Sequence, residues 1–318
     1  MRPLKLSPFL FPLVFFVTLE AEWHAWRGPT NDGVSTAKNL PDVWSETENI
    51  VWKFVLPAAG SSTPIVVKEK VFLTFEKDKE VQLLCLSTEG KEFWQRKVCE
   101  TNGKGNGERT NASATPSSDG DHVFVTTGTG ELVAFDLSGK EKWRFNAQER
   151  YGKFRFGFGF HSTTILHEGR LFLQLIHSAA QLVVCIDSAT GEQVWKVERE
   201  SDGVAECEHS YASPTVYRDE KTNVLITHGN DYCIGHNPAT GKELWRIAEL
   251  NPKEKYNRTL RFVASPVASK GFVVAPSAKN RGVAVIRLNE AKGRIEKGGA
   301  RELWRMDRGT TDVTSPLL

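Results

Sequence analysis

The chain has 318 residues and carries 41 Lys and Arg against 39 Asp and Glu, a formal net charge of +2. Neither sign of charge is in the excess that gathers a polyanion, and no basic stripe interleaves with aromatics, so nucleic acid is not an expected partner. Five cysteines without a Cys-x-x-Cys pair supply neither a zinc nor a redox motif.

In chain order, the first segment is "MRPLKLSPFLFPLVFFVTLEAEWHAW". Arg2 and Lys5 precede an apolar stretch from Phe9 to Leu19, and Ala21 and Ala25 follow among polar residues, the pattern of a secretory signal peptide over residues 1–25. The stretch is much shorter than the roughly twenty residues of a spanning helix. No later run approaches that length, so no transmembrane span is expected after removal of the signal. Residues 26–51 read as an extension leading into a strand around Trp52, in "NIVWKFVL".

From there a repeat takes over. Pro64, Pro116, Pro214, Pro266 and Pro316 each follow Ser or Thr, Thr164 after Thr163 fills the missing place, and the intervals are 52, 48, 50, 52 and 50. Self-similarity at such a period marks an array of supersecondary units. Trp94, Trp143, Trp195, Trp245 and Trp304 close the units, usually just after a turn such as "DSATGEQVW". Cys85 and Cys185 hold the same place in two repeats and read as small core residues, while Cys99 and Cys207 fall between repeats and Cys233 on a strand.

One unit, "ASATPSSDGDHVFVTTGTGELVAFDLSGKEKWRF", divides at Asp119-Gly120, at Gly128-Thr129-Gly130 and at Ser138-Gly139 into four segments of strand length. No window shows a sustained helical period with caps, so almost no helix is expected. A lone four-stranded sheet buries too little to be stable. Radial stacking buries both faces, which gives an all-β fold, a β-propeller of four-stranded antiparallel blades. A Trp at the start of each fourth strand is placed to dock against the next blade.

The turn-plus-Trp phrase and its copies resemble the tryptophan-docking repeat of the pyrroloquinoline-quinone (PQQ)-type propellers, over roughly residues 44–318. That family holds quinoprotein alcohol and glucose dehydrogenases as well as BamB-like lipoproteins of the outer-membrane barrel-assembly machinery, which bind no quinone. The phrase "WHAWRGPTNDGVSTAKNLPDVWSETENIVWKF" is similar to the opening of exported planctomycete-type PQQ-repeat proteins. For an intact protein the resemblance implies seven or eight blades. Here residues 52–318 give about five full blades and the start of a sixth, breaking off at "DVTSPLL"; the strand of Trp52 is then expected to complete the last blade with sheet partners beyond Leu318.

A quinoprotein would imply PQQ over the axis, a calcium ion, an Asp base and commonly a Cys-Cys disulfide, and no Cys-Cys pair is present. No nucleophile elbow, His-Glu-x-x-His or phosphate-cradling loop appears, so no catalytic or metal residue is assigned. The polar residues that stand out precede the Ser/Thr-Pro in the inter-blade loops: Asn111, His161, Glu208, His209 and Arg261, with aromatics in "YGKFRFGFGFH". Gathered around the central opening, they form a ring suited to an anion, a sugar or an extended peptide; individually they also suit loop hydrogen bonding. The reading is a non-enzymatic, BamB-like binding scaffold of the periplasm or cell envelope, without cofactor, taking an envelope protein or extracellular ligand. The alternative is a PQQ- and calcium-dependent dehydrogenase.

Overall fold

The turn signals cut the chain where its strands end. In the second repeat, β5 (Ser117–Ser118), β6 (His122–Thr126), β7 (Glu131–Asp136) and β8 (Glu141–Asn146) form one antiparallel sheet in sequence order. The turns between them hold Asp119-Gly120, Thr127–Gly130 and Ser138-Gly139. Gly139 has φ 84°, a conformation that costs a residue with a Cβ. The computed structural model describes residues 22–102 and 110–317. Most of the expected signal peptide, up to Ala21, lies outside the described residues.

Four more sheets repeat this plan. Blade 1 holds β1 (Ile65–Val67), β2 (Lys70–Lys77), β3 (Glu80–Ser87) and β4 (Glu92–Glu100). After blade 2, a single helical turn α1 (Ala147–Tyr151) leads to blade 3, with β9 (Ile165–His167), β10 (Arg170–His177), β11 (Ala180–Asp187) and β12 (Gln193–Glu198). Blade 4 comprises β13 (Thr215–Arg218), β14 (Asn223–Gly229), β15 (Tyr232–His236) and β16 (Glu243–Ile247). Blade 5 comprises β17 (Val267–Ser269), β18 (Phe272–Pro276), β19 (Val283–Arg287) and β21 (Glu302–Met306). Between its last two strands, β20 (Gly293–Ile295) leaves the blade and pairs parallel with β16, giving blade 4 a fifth strand.

The core lies between blades. Phe72, Leu83 and Cys85 of blade 1 meet Val125 and Phe135 of blade 2; Phe124 and Leu132 of blade 2 meet Leu171 and Val184 of blade 3. Each such side chain contributes about 1.5–3 kcal/mol by leaving water. All five cysteines are buried and unpaired. Cys85, Ala134, Cys185, Gly235 and Val285 each stand opposite the Trp of their blade, and in every case the register slips just beyond that pair. The shared place of Cys85 and Cys185 is thus a place for a small side chain facing an indole.

The six tryptophans from Trp52 onward divide into three kinds. The rings of Trp52, Trp94, Trp143 and Trp195 lie on the turn glycines Gly90, Gly139, Gly191 and Gly241 of the following unit, where a Cβ would meet them at 2.6–3.1 Å. Indole N–H groups of Trp52, Trp143 and Trp195 donate to Thr88, Ser188 and Pro238 carbonyls at 2.8, 2.9 and 3.0 Å. Trp245 has no such turn glycine to rest on: the turn of blade 5 is replaced by the β20 excursion, and the ring, 2% exposed, lies over Gly235 and within the buried cluster that holds Ile286, Leu288 and Ile295. Trp304 departs from the expected inter-blade docking, standing 48% exposed. Around Trp52 the expected strand has no ladder partner among the described residues, and Phe54 and Leu56 instead cover the apolar face of blade 1.

Two features bind the blades at the axis. The Ser or Thr before each proline passes a hydrogen bond to the next unit: Thr63 N to Thr115 Oγ1, Thr115 N to Thr163 Oγ1, Thr163 N to Ser213 Oγ, Ser213 N to Ser265 Oγ and Ser265 N to Ser315 Oγ, all at 2.9–3.1 Å. Where proline follows, it holds its predecessor in an extended conformation. The second feature is the extension, which runs across the axis before it leads into blade 1. Trp23 bridges to Val66 of β1, the His24 carbonyl accepts from Ser118 of β5, and Asp32 accepts from Ser269 of β17 at 2.8 Å. Arg27, 7% exposed, donates to the Pro266 and Pro316 carbonyls at 2.6 and 3.4 Å, and burial pushes its pKa down to about 10.

Candidate functional site

Each inner strand starts just after the Ser/Thr belt, so the loops that reach it from the previous blade share one face. The longest aromatic loop, Phe154–Phe160, joins blades 2 and 3. Phe160 is buried, Phe154 and Phe156 are half-buried against His177 at 5.7 and 4.7 Å, and Phe158 is 40% exposed. Gly159 has φ 93°, and this reversal brings the chain back to His161.

His161 shares a hydrogen bond with Ser113 Oγ at 2.6 Å through Nδ1 and lies 2.8 Å from the Phe158 carbonyl through Nε2. Tyr211 stands beside it, ring to ring at 6.4 Å, and its hydroxyl accepts from the Phe158 N–H at 3.2 Å. Arg261 places its guanidinium 4.8 Å over the Phe158 ring while donating to Glu206 at 2.8 Å. His209 faces Phe156 at 6.4 Å; burial pushes its pKa down against the opposing pull of Glu208 and Glu206, so its imidazole is neutral at pH 7.

His161, His209 and Arg261 therefore meet on the aromatic loop. Asn111 lines the same cavity of about 460 Å³ as His161, but its backbone N–H and side-chain amide are tied to Glu76 at 2.7 and 3.1 Å. Glu208 is fixed through its carbonyl, which accepts from Gln181 at 3.0 Å. Tyr211, His177 and Glu76 belong to this arrangement and carry no sequence signal: each lies on or beside a strand in an otherwise ordinary apolar pattern. The aromatic loop itself is visible as alternating Phe and Gly.

Behind the ring, the Asn230-Asp231 turn anchors the loop between blades 4 and 5. Asp231 accepts from Asn251 at 3.0 Å and Tyr256 at 2.6 Å, and burial raises its carboxyl above the usual range. Cys207, between blades 3 and 4, donates to the Asn257 carbonyl at 3.1 Å.

A quinone held with a calcium ion needs carboxylate oxygens free to coordinate. On this face Glu76 is taken by Asn111 and Thr101, and Glu206 by Arg261. Among the described residues no three His, Cys, Asp or Glu side chains converge to hold a metal ion.

The fold has relatives among solved structures. BamB from Moraxella catarrhalis is similar with a TM-score of 0.51 and 16% identity, covering 83% of this chain and 66% of that one. A europium-containing methanol dehydrogenase gives 0.58 and 13% identity, with 84% and 56% covered. Quinohemoprotein alcohol dehydrogenase from Comamonas testosteroni gives 0.54 and 14%, with 79% and 43% covered. The chain thus spans 43–66% of the length of these structures, and at such identities the likeness is one of fold. No curated protein matches it. The family of PQQ-type repeats described as outer membrane protein assembly factor BamB matches residues 77–314, from the end of β2 in blade 1 to beyond β21 in blade 5, and the chain belongs to that family.

Proposed function

We propose that this protein is a non-enzymatic binding scaffold of the bacterial cell envelope, exported by its N-terminal leader, and that it captures an envelope protein on the inter-blade loop face. One observation carries this reading: Phe158 is held outward, its backbone fixed by Tyr211 and its ring capped by Arg261. An exposed aromatic already ordered and paired with arginine has the composition of a binding hot spot and loses little entropy on association. Membership of the BamB-described family supports a protein partner. In this reading PQQ and calcium play no part.

The partner is to be identified by crosslinking in the native envelope, and its affinity then measured with purified components. Phe158→Ala, and separately His209→Ala with Arg261→Ala, should weaken capture at least about tenfold, about 1.4 kcal/mol, while leaving Tm nearly unchanged. Full binding by both variants would remove the loop face from the function. The dehydrogenase reading draws on the likeness in fold to two dehydrogenases; it predicts a PQQ-dependent absorbance change and alcohol or sugar oxidation with an artificial electron acceptor.

A further inference from the structure

Ala21 and Ala25 both follow the apolar stretch at small-residue positions suited to removal of a leader, and the sequence leaves the choice between them open. A leader peptidase takes small side chains at the cleaved residue and two places before it. For Ala21 that second place holds Leu19; for Ala25 it holds Trp23, a far bulkier side chain.

We propose that the leader is removed between Ala21 and Glu22, so that the mature chain begins with the segment that crosses the axis. This rests on the reading that the leader exports the protein. The step is a hydrolysis by a leader peptidase of the exporting cell: water adds across the Ala21–Glu22 peptide bond, Ala21 ends as a carboxylate, and Glu22 keeps the nitrogen as an ammonium.

Trp23 and the two residues after it are built into the fold. The Trp23 N–H donates to the Val66 carbonyl at 2.9 Å, and its carbonyl accepts from the Val66 N–H at 3.0 Å. Its ring is the surface on which Gly28 turns, with φ 71° and so little room that a Cβ would meet the indole at 2.6 Å. The His24 carbonyl takes the N–H of Ser118, which is 3% exposed, and the Ala25 carbonyl takes the Gly28 N–H, both at 2.9 Å. These bonds tie the segment to blades 1 and 2 and shape the turn that brings Arg27 to the Pro266 carbonyl at the entry to blade 5.

A cut after Ala25 removes every one of them. Val66 loses both backbone partners, and the buried Ser118 N–H loses its acceptor, a costly state where water is excluded. The cut also leaves a new ammonium on Trp26, whose ring lies 4.4 Å beneath the Arg27 guanidinium. Burial already disfavours the charge on Arg27, and a second cation beside it opposes that charge further. A cut after Ala21 breaks none of these contacts. Its ammonium falls on Glu22, which is exposed and carries its own carboxylate, itself in contact with His24.

Expression of the full chain in an exporting bacterial host, followed by intact mass and N-terminal sequencing of the exported protein, reads the bond directly. The expected first residue is Glu22. Ala21→Phe, a change outside the retained chain, should abolish cleavage at that bond. A first residue of Trp26, or unchanged processing of Ala21→Phe, overturns the assignment and leaves export standing; a chain that keeps Met1 and stays in the cytoplasm overturns export as well. A second measurement needs no export. A chain released from a cleavable tag to begin at Trp26 should melt at least about 4 °C below one that begins at Glu22. Equal melting temperatures would also overturn the assignment.

Discussion

Between blades 2 and 3, the Trp143 ring lies on Gly191 and its N–H reaches the Ser188 carbonyl, so the closing residue of one repeat is seated in the turn of the next. Between blades 4 and 5, Trp245 rests on no turn glycine but lies over Gly235 in the cluster it shares with Ile286 and Ile295, and β20 bridges the seam as an added strand. The same marker residue thus closes two different seams. The regular seam depends on a glycine in a tight turn, whereas the irregular one depends on extra backbone pairing. The irregular side also buries groups that the regular side keeps out. Arg199, His228 and His236 are each at most 2% exposed, and Arg199 donates to Thr227, Ser201 and the Tyr232 carbonyl without contacting a carboxylate. Among the described residues, blades 1 and 2 hold no fully buried histidine.

Acid should separate the two sides most sharply. Burial pushes the pKa of His228 down to about 3, and those of His236 and His177 to about 4. The unfolded chain binds these protons near its ordinary value of about 6.5, so the stability they confer is complete above that pH and is lost as pH falls toward 4. By pH 5 the loss should be about 2 kcal/mol for each histidine, about 6 if the three add. Hydrogen exchange should show protection failing first in blades 3 and 4. A uniform loss across all five blades would mean that the buried histidines do not set the acid limit.

Emptying the indole sites comes next. Trp245→Ala should cost about 3–5 kcal/mol, Trp195→Ala about 3, and Trp304→Ala less than about 1, measured by urea denaturation. Equal costs for Trp245 and Trp304 would show that exposure does not govern these sites. Smaller again is the axial belt: Ser213→Ala leaves the buried Thr163 N–H without its acceptor and should cost about 1–3 kcal/mol. The part-exposed Ser315→Ala should cost less than about 1. Smallest are the pairs flanking three tryptophans, Glu141 with Arg144, Glu243 with Arg246 and Glu302 with Arg305. Replacing the exposed Arg144 by Gln should change stability by less than about 1 kcal/mol and should matter less as salt rises.

The blades were legible in sequence because their determinants are local and repeat: a proline after Ser or Thr, a turn glycine, a tryptophan. The change at the fourth seam was only half visible. Trp245 and Trp304 are separated by 59 residues where earlier pairs are 49–52 apart, which marks an insertion but not the added strand it forms. Crossing of the axis by Trp23–Asp32 was not visible, since its partners Val66, Ser118, Pro266 and Ser269 are far along the chain and unremarkable locally. In the loop ring, His161, His209 and Arg261 were found by their place before the repeated Ser/Thr. Tyr211 and Glu76 act through distances that no spacing encodes.

The belt of Ser and Thr hydroxyls has a direction. In each described link the N–H of one unit points forward to the hydroxyl of the next, and the members sit at equivalent repeat positions. Such a belt does not record how many members it has. Excision of one whole repeat would bring Thr115 against Ser213 in the relation that Thr163 and Ser213 hold now, with the same chemistry at the joint. The interlock is therefore indifferent to copy number, and duplication or loss of a blade leaves every remaining joint able to reform. That indifference suits a lineage in which chain length drifts while the architecture persists.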